Sequence, residues 1–486
     1  MIGLLMIPLL HAQEPAEAPP EEVIEAPATP DRSAPPAVIP PVVMTMPEMT
    51  TEVLRPGLTL SHLQVDGVRK LEVMVMFEIG SVDLCGLAQD CQAMINIWEL
   101  ASEQTDAVTM SSTLDSLDGE LYSWMGLTMG GLELTIPRAG LDDGLALLSE
   151  VLYTPKLSRK ELRRSTQNTL DWYQETGPAD MGQVASAARR QAFYEAEHPR
   201  GRRADLRARK AIKRADLHDV HRRLLSSAPL HVLVVGDIAR AEIEPKLVAL
   251  LDGIGVPGER SPPLPHVPPS ASSIVAVDMP GPQAAVRMIT AAPGLQGADR
   301  MSISAVNFAL GGSFTSRLNG NLREEKGWTY GARSYYSRYR DHGVWGVSVD
   351  VEAENVAGAV GEIRAEIDAI TQEGITDDEI EAAWLDNVTW WNRRLETAGS
   401  AGGFYQWMIL NETTLALWHE RIVAFRDQSG EAGRAAAQAW LSADSPRLWV
   451  IVGDRSQIEE QVDGLGLPVQ WITPSQALLG EFEVAR

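Results

Sequence analysis

Two unlike signals recur in this chain at almost the same interval. Thr376-x-x-Glu379 follows Ser158-x-x-Glu161 by 218 residues, and the apolar run ending in Gly453-Asp454 follows the one ending in Gly236-Asp237 by 217. The first signal is a capping box, in which a hydroxyl and a carboxylate satisfy the free N–H groups at a helix start. The second is a buried strand stopped by a turn. Helix starts and strand ends are set by different chemistry, so a shared offset points to duplication of one domain-sized α/β unit. Length agrees, since a single core stops growing well short of 486 residues. Six prolines in 256–273 separate the copies as a semi-rigid linker. The expected fold is therefore α+β: two duplicated domains, 51–256 and 274–486 with a linker at 257–273, each a mostly antiparallel sheet covered by helices on one face.

Within the first copy, 58–65 and 70–80 read as strands, and Asp66-Gly67 between them predicts an antiparallel hairpin. Helices are expected over 86–102, over 141–152, and from the Ser158 cap through Tyr173. His231 to Asp237 reads as a buried strand ending in a turn.

Charge narrows the partners. Lys and Arg total 42 against 66 Asp and Glu, a formal −24, which disfavours a nucleic-acid backbone or an anionic membrane as the main partner. Two cysteines are too few for a disulfide framework or a four-thiolate metal site. Residues 1–13 combine a short apolar run with a small-residue end and read as a signal peptide, which predicts export, to a periplasmic compartment, and no membrane span. Residues 14–50 are rich in Pro and Ala and read as a disordered tether; ten prolines fall between Glu14 and Met49.

The most specific stretch is Leu310-Gly311-Gly312-Ser313-Phe314-Thr315-Ser316-Arg317-Leu318, continued by Asn321-Leu322-Arg323-Glu324-Glu325-Lys326-Gly327-Trp328-Thr329-Tyr330-Gly331. A short helix between two glycine turns sets Arg323 and Tyr330 near the start of a strand. This run resembles the second-domain signature of the pitrilysin/insulinase-type zinc metallopeptidases, in the branch of the mitochondrial processing peptidase. Weaker matches are Pro56-Gly57-Leu58, Gly86-Leu87-Ala88, His198-Pro199-x-Gly201 and Leu395-Glu396-Thr397. By that resemblance Arg323 and Tyr330 are substrate-binding residues, donating hydrogen bonds to peptide carbonyls and to the oxyanion formed when water attacks.

Peptide-cleaving members carry His-x-x-Glu-His after the Gly-Leu-Ala opening: two imidazoles hold zinc, the glutamate activates the bound water, and a distal carboxylate completes the site. Here those positions read Gln89-Asp90-Cys91-Gln92-Ala93, and the distal region at 169–171 offers Asp171 alone. Gln89, Gln92, Ala93 and Asp171 are thus a degenerate zinc site, with no metal or other cofactor expected in this chain. His218-x-x-His221 shares a helix face but has no converging third ligand, and reads as solvated. Cys85 and Cys91 flank the vacated helix start. A disulfide suits them if Cys85 lies in a loop, whereas a continuous helix would hold them apart.

The remaining oddities read as structural. Trp384 and Trp391 repeat at helical spacing, which favours a core stripe over a peptide-stacking surface. Eight basic residues in 200–214 suit a solvated helix, with a docking face for an acidic partner as the sharper alternative. The resemblance implies a non-catalytic, substrate-binding subunit of a heteromeric zinc peptidase, its partner an active subunit bearing His-x-x-Glu-His and the zinc, its ligand a peptide or unfolded polypeptide. A structural scaffold subunit and a homodimeric peptide-binding module are the alternatives.

Overall fold

A strand that is apolar on both faces belongs in the middle of a sheet with both surfaces covered. The computed structural model, which describes residues 42–86, 90–201 and 203–484, puts two such strands at matching places. The first half contributes β1 (Thr50–Arg55), β2 (Leu58–Gln64), β3 (Lys70–Phe77), β4 (Glu120–Met125), β5 (Gly130–Pro137) and β6 (Leu230–Gly236). The second contributes β7 (Ser273–Asp278), β8 (Gln283–Ala292), β9 (Ala332–Arg338), β10 (Gly343–Glu352), β11 (Leu448–Gly453) and β12 (Val469–Ile472). They form two six-stranded sheets, ordered β1-β2-β6-β3-β5-β4 and β12-β7-β11-β8-β10-β9.

Read from the second place onward, the two orders are the same. The buried strand β6 lies parallel to β2 and antiparallel to β3, as β11 lies parallel to β7 and antiparallel to β8. Only the outermost strand differs. In the first sheet it is β1, which precedes β2 and runs antiparallel to it; in the second it is β12, which follows β11 and runs parallel to β7.

This arrangement corrects the predicted hairpin. The chain does turn at Gly67, with φ +77°, but β2 and β3 do not pair. β6 stands between them, because its seven residues are buried on both faces and only a central position covers both.

The helices used below are α1 (Ser81–Cys85), α2 (Asp90–Ile95), α3 (Leu141–Tyr153), α4 (Arg159–Asp171), α5 (Met181–Phe193), α6 (Leu206–Ala211), α7 (Arg214–Ser227), α8 (Val356–Glu373), α9 (Asp377–Asn392), α10 (Ala398–Leu410) and α11 (Leu415–Arg426). Both capping boxes lie at helix starts: Ser158 Oγ accepts the Glu161 N–H at the head of α4, and Thr376 with Glu379 closes a reciprocal box at α9. The helix expected over 86–102 is shorter. α2 ends at Ile95, and the chain then dives inward so that Trp98 is fully buried and donates its indole N–H to Val151 O (3.1 Å).

Each sheet is covered on both faces, and one cover comes from the other half. The β3 face carrying Leu71, Val73 and Val75 packs on helices of its own half, including α3 and α7. The opposite face, with Met74, Met76 and Leu233, packs on α10 from the second half. Conversely, α5 of the first half lies on Val275, Val277, Val450 and Val452 of the second sheet.

The tether expected over 14–50 is not uniform. Residues 1–41, where the signal peptide is expected, lie outside the described residues, but 42–49 run without helix or strand, fixed by side chains of the second half. Trp391 donates to Met44 O (2.7 Å), Tyr405 to Pro47 O (2.5 Å), and Met44 N–H to Asn392 Oδ1 (3.0 Å). Prolines exclude a helix or ladder here, but they leave carbonyls free to accept such bonds.

Candidate functional site

The run carrying Arg323 and Tyr330 is built from the core outward. Leu318 and Leu322 are fully buried and pin the turn Arg317–Asn319 and the π-helical turn Gly320–Glu325 to the second domain. Gly327, at φ +69°, reverses the chain, and β9 begins at Ala332. Gly311 permits the approach of β9, since a Cβ there would stand 2.4 Å from Ser334 N. Asn319 ties the ends together, donating to Ser313 O (3.1 Å) and accepting from Ala332 N–H (2.9 Å).

Neighbouring helices hold the outside of the run. Arg317 makes a forked pair with Glu379 (2.7 Å to each oxygen), the capping-box carboxylate of α9. The Glu379 hydrogen bond holds the Arg317 guanidinium above its ordinary pKa, as a charge-assisted bidentate pair does. Asn321 donates to Glu362 and Glu366 of α8 (both 2.9 Å), and Lys326 pairs with Glu362 (3.0 Å). What this frame leaves outward are the two residues picked from the sequence. Tyr330 is 93% exposed. Arg323 is half-buried, its guanidinium 4.4 Å from the centre of the Phe314 ring and 3.2 Å from Glu324 Oε1. Phe314 is itself exposed. A phenol, a guanidinium and an aromatic face on a rigid loop can donate hydrogen bonds to, and stack on, an extended peptide.

The degenerate zinc positions lie at the other end of the duplication, between α2 and α4. Gln89 lies outside the described residues. Gln92, where the resemblance puts the general base, donates to Asn96 Oδ1 (2.9 Å) one turn along; Asn96 donates to Ser165 Oγ (3.1 Å) on α4, which also accepts from the Arg209 guanidinium (2.9 Å) on α6. Ala93 is buried in the core. Asp171 accepts from Gln167 (2.6 Å) on its own helix. A cavity of about 480 Å³ beside α4 is lined by amides, hydroxyls, aromatic rings and Arg164, among them Ser165, Asn168 and Thr169. Zinc needs thiolate, imidazole or carboxylate donors. The cavity lining supplies none, Asp171 is the one carboxylate among the described degenerate positions, and the Arg209 guanidinium, a cation, lies against Ser165 beside them. The residues present do not fit the metal.

Cys85 and Cys91 are joined in a disulfide, Cα atoms 6.0 Å apart, across the break between α1 and α2. Since α1 ends at Cys85, the continuous helix that would have parted them does not form. The basic run 200–214 is less solvated than expected: Arg209 is buried, and Arg214 donates to Leu157 O (2.8 Å) and pairs with Glu103 (3.0 Å). Nor is His218-x-x-His221 a solvated face, because His221 is buried and bonded to Leu152 O (2.9 Å). Trp384 and Trp391 are core residues. Sequence reasoning missed Asn96, Ser165 and Arg209; the only signal for them was an arginine at helical spacing within the basic run.

The architecture defines a class first: a duplicated α/β protein of the peptidase-like kind. Residues 211–384 match the family model described as the peptidase M16 inactive domain. Among solved structures, a peptidase M16 inactive domain from Pseudomonas fluorescens superposes with a TM-score of 0.75 at 18% identity over 83% of this chain and 98% of that one. A protease from Helicobacter pylori gives 0.72 at 16% identity, over 84% and 100%. Among curated proteins, an uncharacterized zinc protease of Streptomyces coelicolor is 37% identical over 95 residues, and the uncharacterized zinc protease YmxG of Bacillus subtilis 34% identical over 76. Each match covers about a fifth of the relative's length, 21% and 19%. The chain thus resembles the pitrilysin-type, M16, peptidases: the inactive-domain match falls on residues 211–384, and the fold of most of the chain is shared with the solved M16 inactive domain.

Proposed function

We propose that this chain is the non-catalytic, peptide-binding subunit of an exported, heteromeric pitrilysin-type zinc peptidase. The observation that carries the reading is the contrast between its two sites: the degenerate zinc positions keep one carboxylate, Asp171, and Gln92 joins a hydrogen-bonded set with Asn96, Ser165 and Arg209, while Arg323 and Tyr330 stand outward on a braced loop. A partner bearing His-x-x-Glu-His supplies zinc and base. This chain supplies a wall of the peptide chamber, where the Arg323 guanidinium and Tyr330 hydroxyl donate to substrate carbonyl oxygens and to the developing oxyanion. Such donors act only when positioned beforehand, which is the role of the Arg317, Asn319 and Asn321 contacts.

The test is a co-purified complex assayed on unfolded polypeptide. The isolated chain should bind no stoichiometric zinc and cleave nothing, and it should strongly activate its partner. Arg323→Ala and Tyr330→Phe should lower turnover of the complex roughly 100- to 1,000-fold, the range for losing a donor to an oxyanion, with assembly intact. Stable assembly with unchanged turnover would select the scaffold role instead, and peptide affinity in the pure chain without a partner would select a homodimeric binding module.

A further inference from the structure

A larger cavity, about 900 Å³, opens where the segment 42–49 crosses the second half, and none of its lining residues belongs to the 311–331 run. Its volume is within the range of small-molecule sites. The floor is apolar and aromatic: Met46, Trp391, Tyr405 and Met408 are all buried and all line it. The polar atoms of the two rings are already committed, Trp391 N–H to Met44 O and Tyr405 O–H to Pro47 O, so what they turn to the cavity is ring surface.

The charged lining is one-sided. Glu48, Glu78, Glu412 and Glu420 contribute, against Arg260 as the single Arg or Lys among the described lining residues. Arg260 is also engaged, donating to Ile409 O (2.6 Å) and lying 3.5 Å from Glu412, which Arg340, outside the lining, meets at 2.9 Å, so Glu412 is already answered and Glu78 is the inner carboxylate left to the cavity. Glu78 is fixed from behind: His231 Nδ1 is 3.6 Å from its carboxylate, His231 Nε2 bonds Ser61 Oγ (2.8 Å), and Ser61 bonds Thr51 Oγ1 (2.8 Å). Ser61 is fully buried, which makes this chain a brace for the imidazole rather than a nucleophile facing a substrate. The hydrogen bond from His231 holds the Glu78 carboxyl below its ordinary pKa, so it is anionic at neutral pH.

Two further features mark the α10–α11 corner. Thr413 lines the cavity and is 8% exposed, yet its hydroxyl oxygen is buried with no hydrogen-bond partner. Glu412 before it has φ +51°, one of two non-glycine residues in the left-handed region among the described residues. An unanswered hydroxyl and a strained backbone both have a cost, and both cluster at ligand sites.

We propose that this cavity is a binding site for a cationic amphiphile, a protonated amine carried on an apolar body. The body packs on Trp391, Tyr405 and Met408; the ammonium answers the Glu78 carboxylate and donates to Thr413 Oγ. The amine has two chemical sources, a free alkylamine or the lysine side chain of a peptide.

Isothermal titration of the full chain with octylamine, octanol and octanoate tests it. Octylamine should bind with one-to-one stoichiometry at least tenfold more tightly than octanol, with octanoate weakest. Thr413→Val, nearly isosteric, and Glu78→Gln should each weaken octylamine several-fold while leaving octanol unchanged, and Ala416→Trp, which fills the cavity from its exposed rim, should abolish binding. In a second arm, acetyl-Leu-Lys-Leu-amide is compared with its norleucine counterpart: lysine-dependent binding tighter than that of octylamine assigns the site to peptide side chains, and octylamine binding alone assigns it to free amines. Equal affinity for octylamine and octanoate, no binding of any probe, or octylamine affinity untouched by Thr413→Val would overturn the proposal.

Discussion

The two exchanged helices do the same architectural task with different chemistry. α5 leaves the first half and covers the second sheet through Val184, Ala185 and Ala188 against Val275, Val277, Val450 and Val452, an apolar contact edged by Arg189, which donates to the Tyr335 hydroxyl of β9. α10 leaves the second half and covers the first sheet, but beneath it lies Glu72 of β3, buried and accepting from Thr135 Oγ1 (2.7 Å). Gly399 and Gly402 make the room: a Cβ on Gly399 would stand 3.2 Å from Glu72 Oε1, and one on Gly402 3.5 Å from its Cγ. Duplication thus kept the layering and let the contacts diverge, leaving one seam built on valine and alanine and the other holding an acid.

Breaking the apolar seam should have the largest effect. Val184→Asp buries a charge with no partner and should remove about 3 kcal/mol or more of stability. Because α5 belongs by sequence to one half and by packing to the other, urea unfolding followed by tryptophan fluorescence and by far-UV circular dichroism should shift as one transition. Separate transitions for the two probes would show that the halves are not coupled through this helix.

The acid seam predicts a pH signature of the opposite kind to most carboxylates. Burial pushes the Glu72 carboxyl up to about 7 from 4.5, so the folded protein holds a proton there that the unfolded chain has released. Its contribution is fully present below pH 4.5 and is lost as pH rises through about 7, on the order of 3 kcal/mol across that window. Glu72→Gln should stay neutral throughout, matching the wild type near pH 4.5 and exceeding it above pH 7. Urea midpoints of both proteins at pH 5 and pH 8 check this; equal differences at the two values would show that Glu72 does not titrate in that range.

The remaining two changes are smaller. Replacing Cys85 and Cys91 together by serine opens a short loop and should cost ~2 kcal/mol by loop-closure entropy. If the exchanged helices join the halves, that loss should lower a single melting transition rather than split it. Gly399→Ala adds a methyl against Glu72 but also favours the helix, so calorimetry should find a net change below about 1 kcal/mol.

What the sequence disclosed, and what it did not, follows from how local each signal is. Ser158 with Glu161 and Thr376 with Glu379 act within one helical turn, and β6 and β11 are short runs buried from end to end, so both pairs were readable and gave away the duplication. The β2–β3 hairpin was misread because β6 arrives from more than 160 residues away, and parallel pairing over that distance has no local mark. Segment 42–49 reads as tether in the sequence, since proline density reports what the backbone cannot do and is silent about carbonyls accepting from Trp391 and Tyr405. Arg209 looked solvated because burial of an arginine depends on partners from other helices. Arg323 and Tyr330 carry no periodicity at all; only resemblance singled them out, as exposed functional side chains leave no imprint on the core pattern.

The late insertion of β6 has a consequence for synthesis. Leu58 pairs with Leu230, and Ser273 with Leu448, so neither sheet can close while its first strands leave the ribosome. At typical translation speeds β2 and β3 wait on the order of ten seconds for the strand that separates them. The outer face of the first sheet waits longer still, until α10 has been made. During that interval the nascent first half has an open gap at its centre and a bare apolar surface, and its maturation is paced by elongation of the second half rather than by its own folding speed.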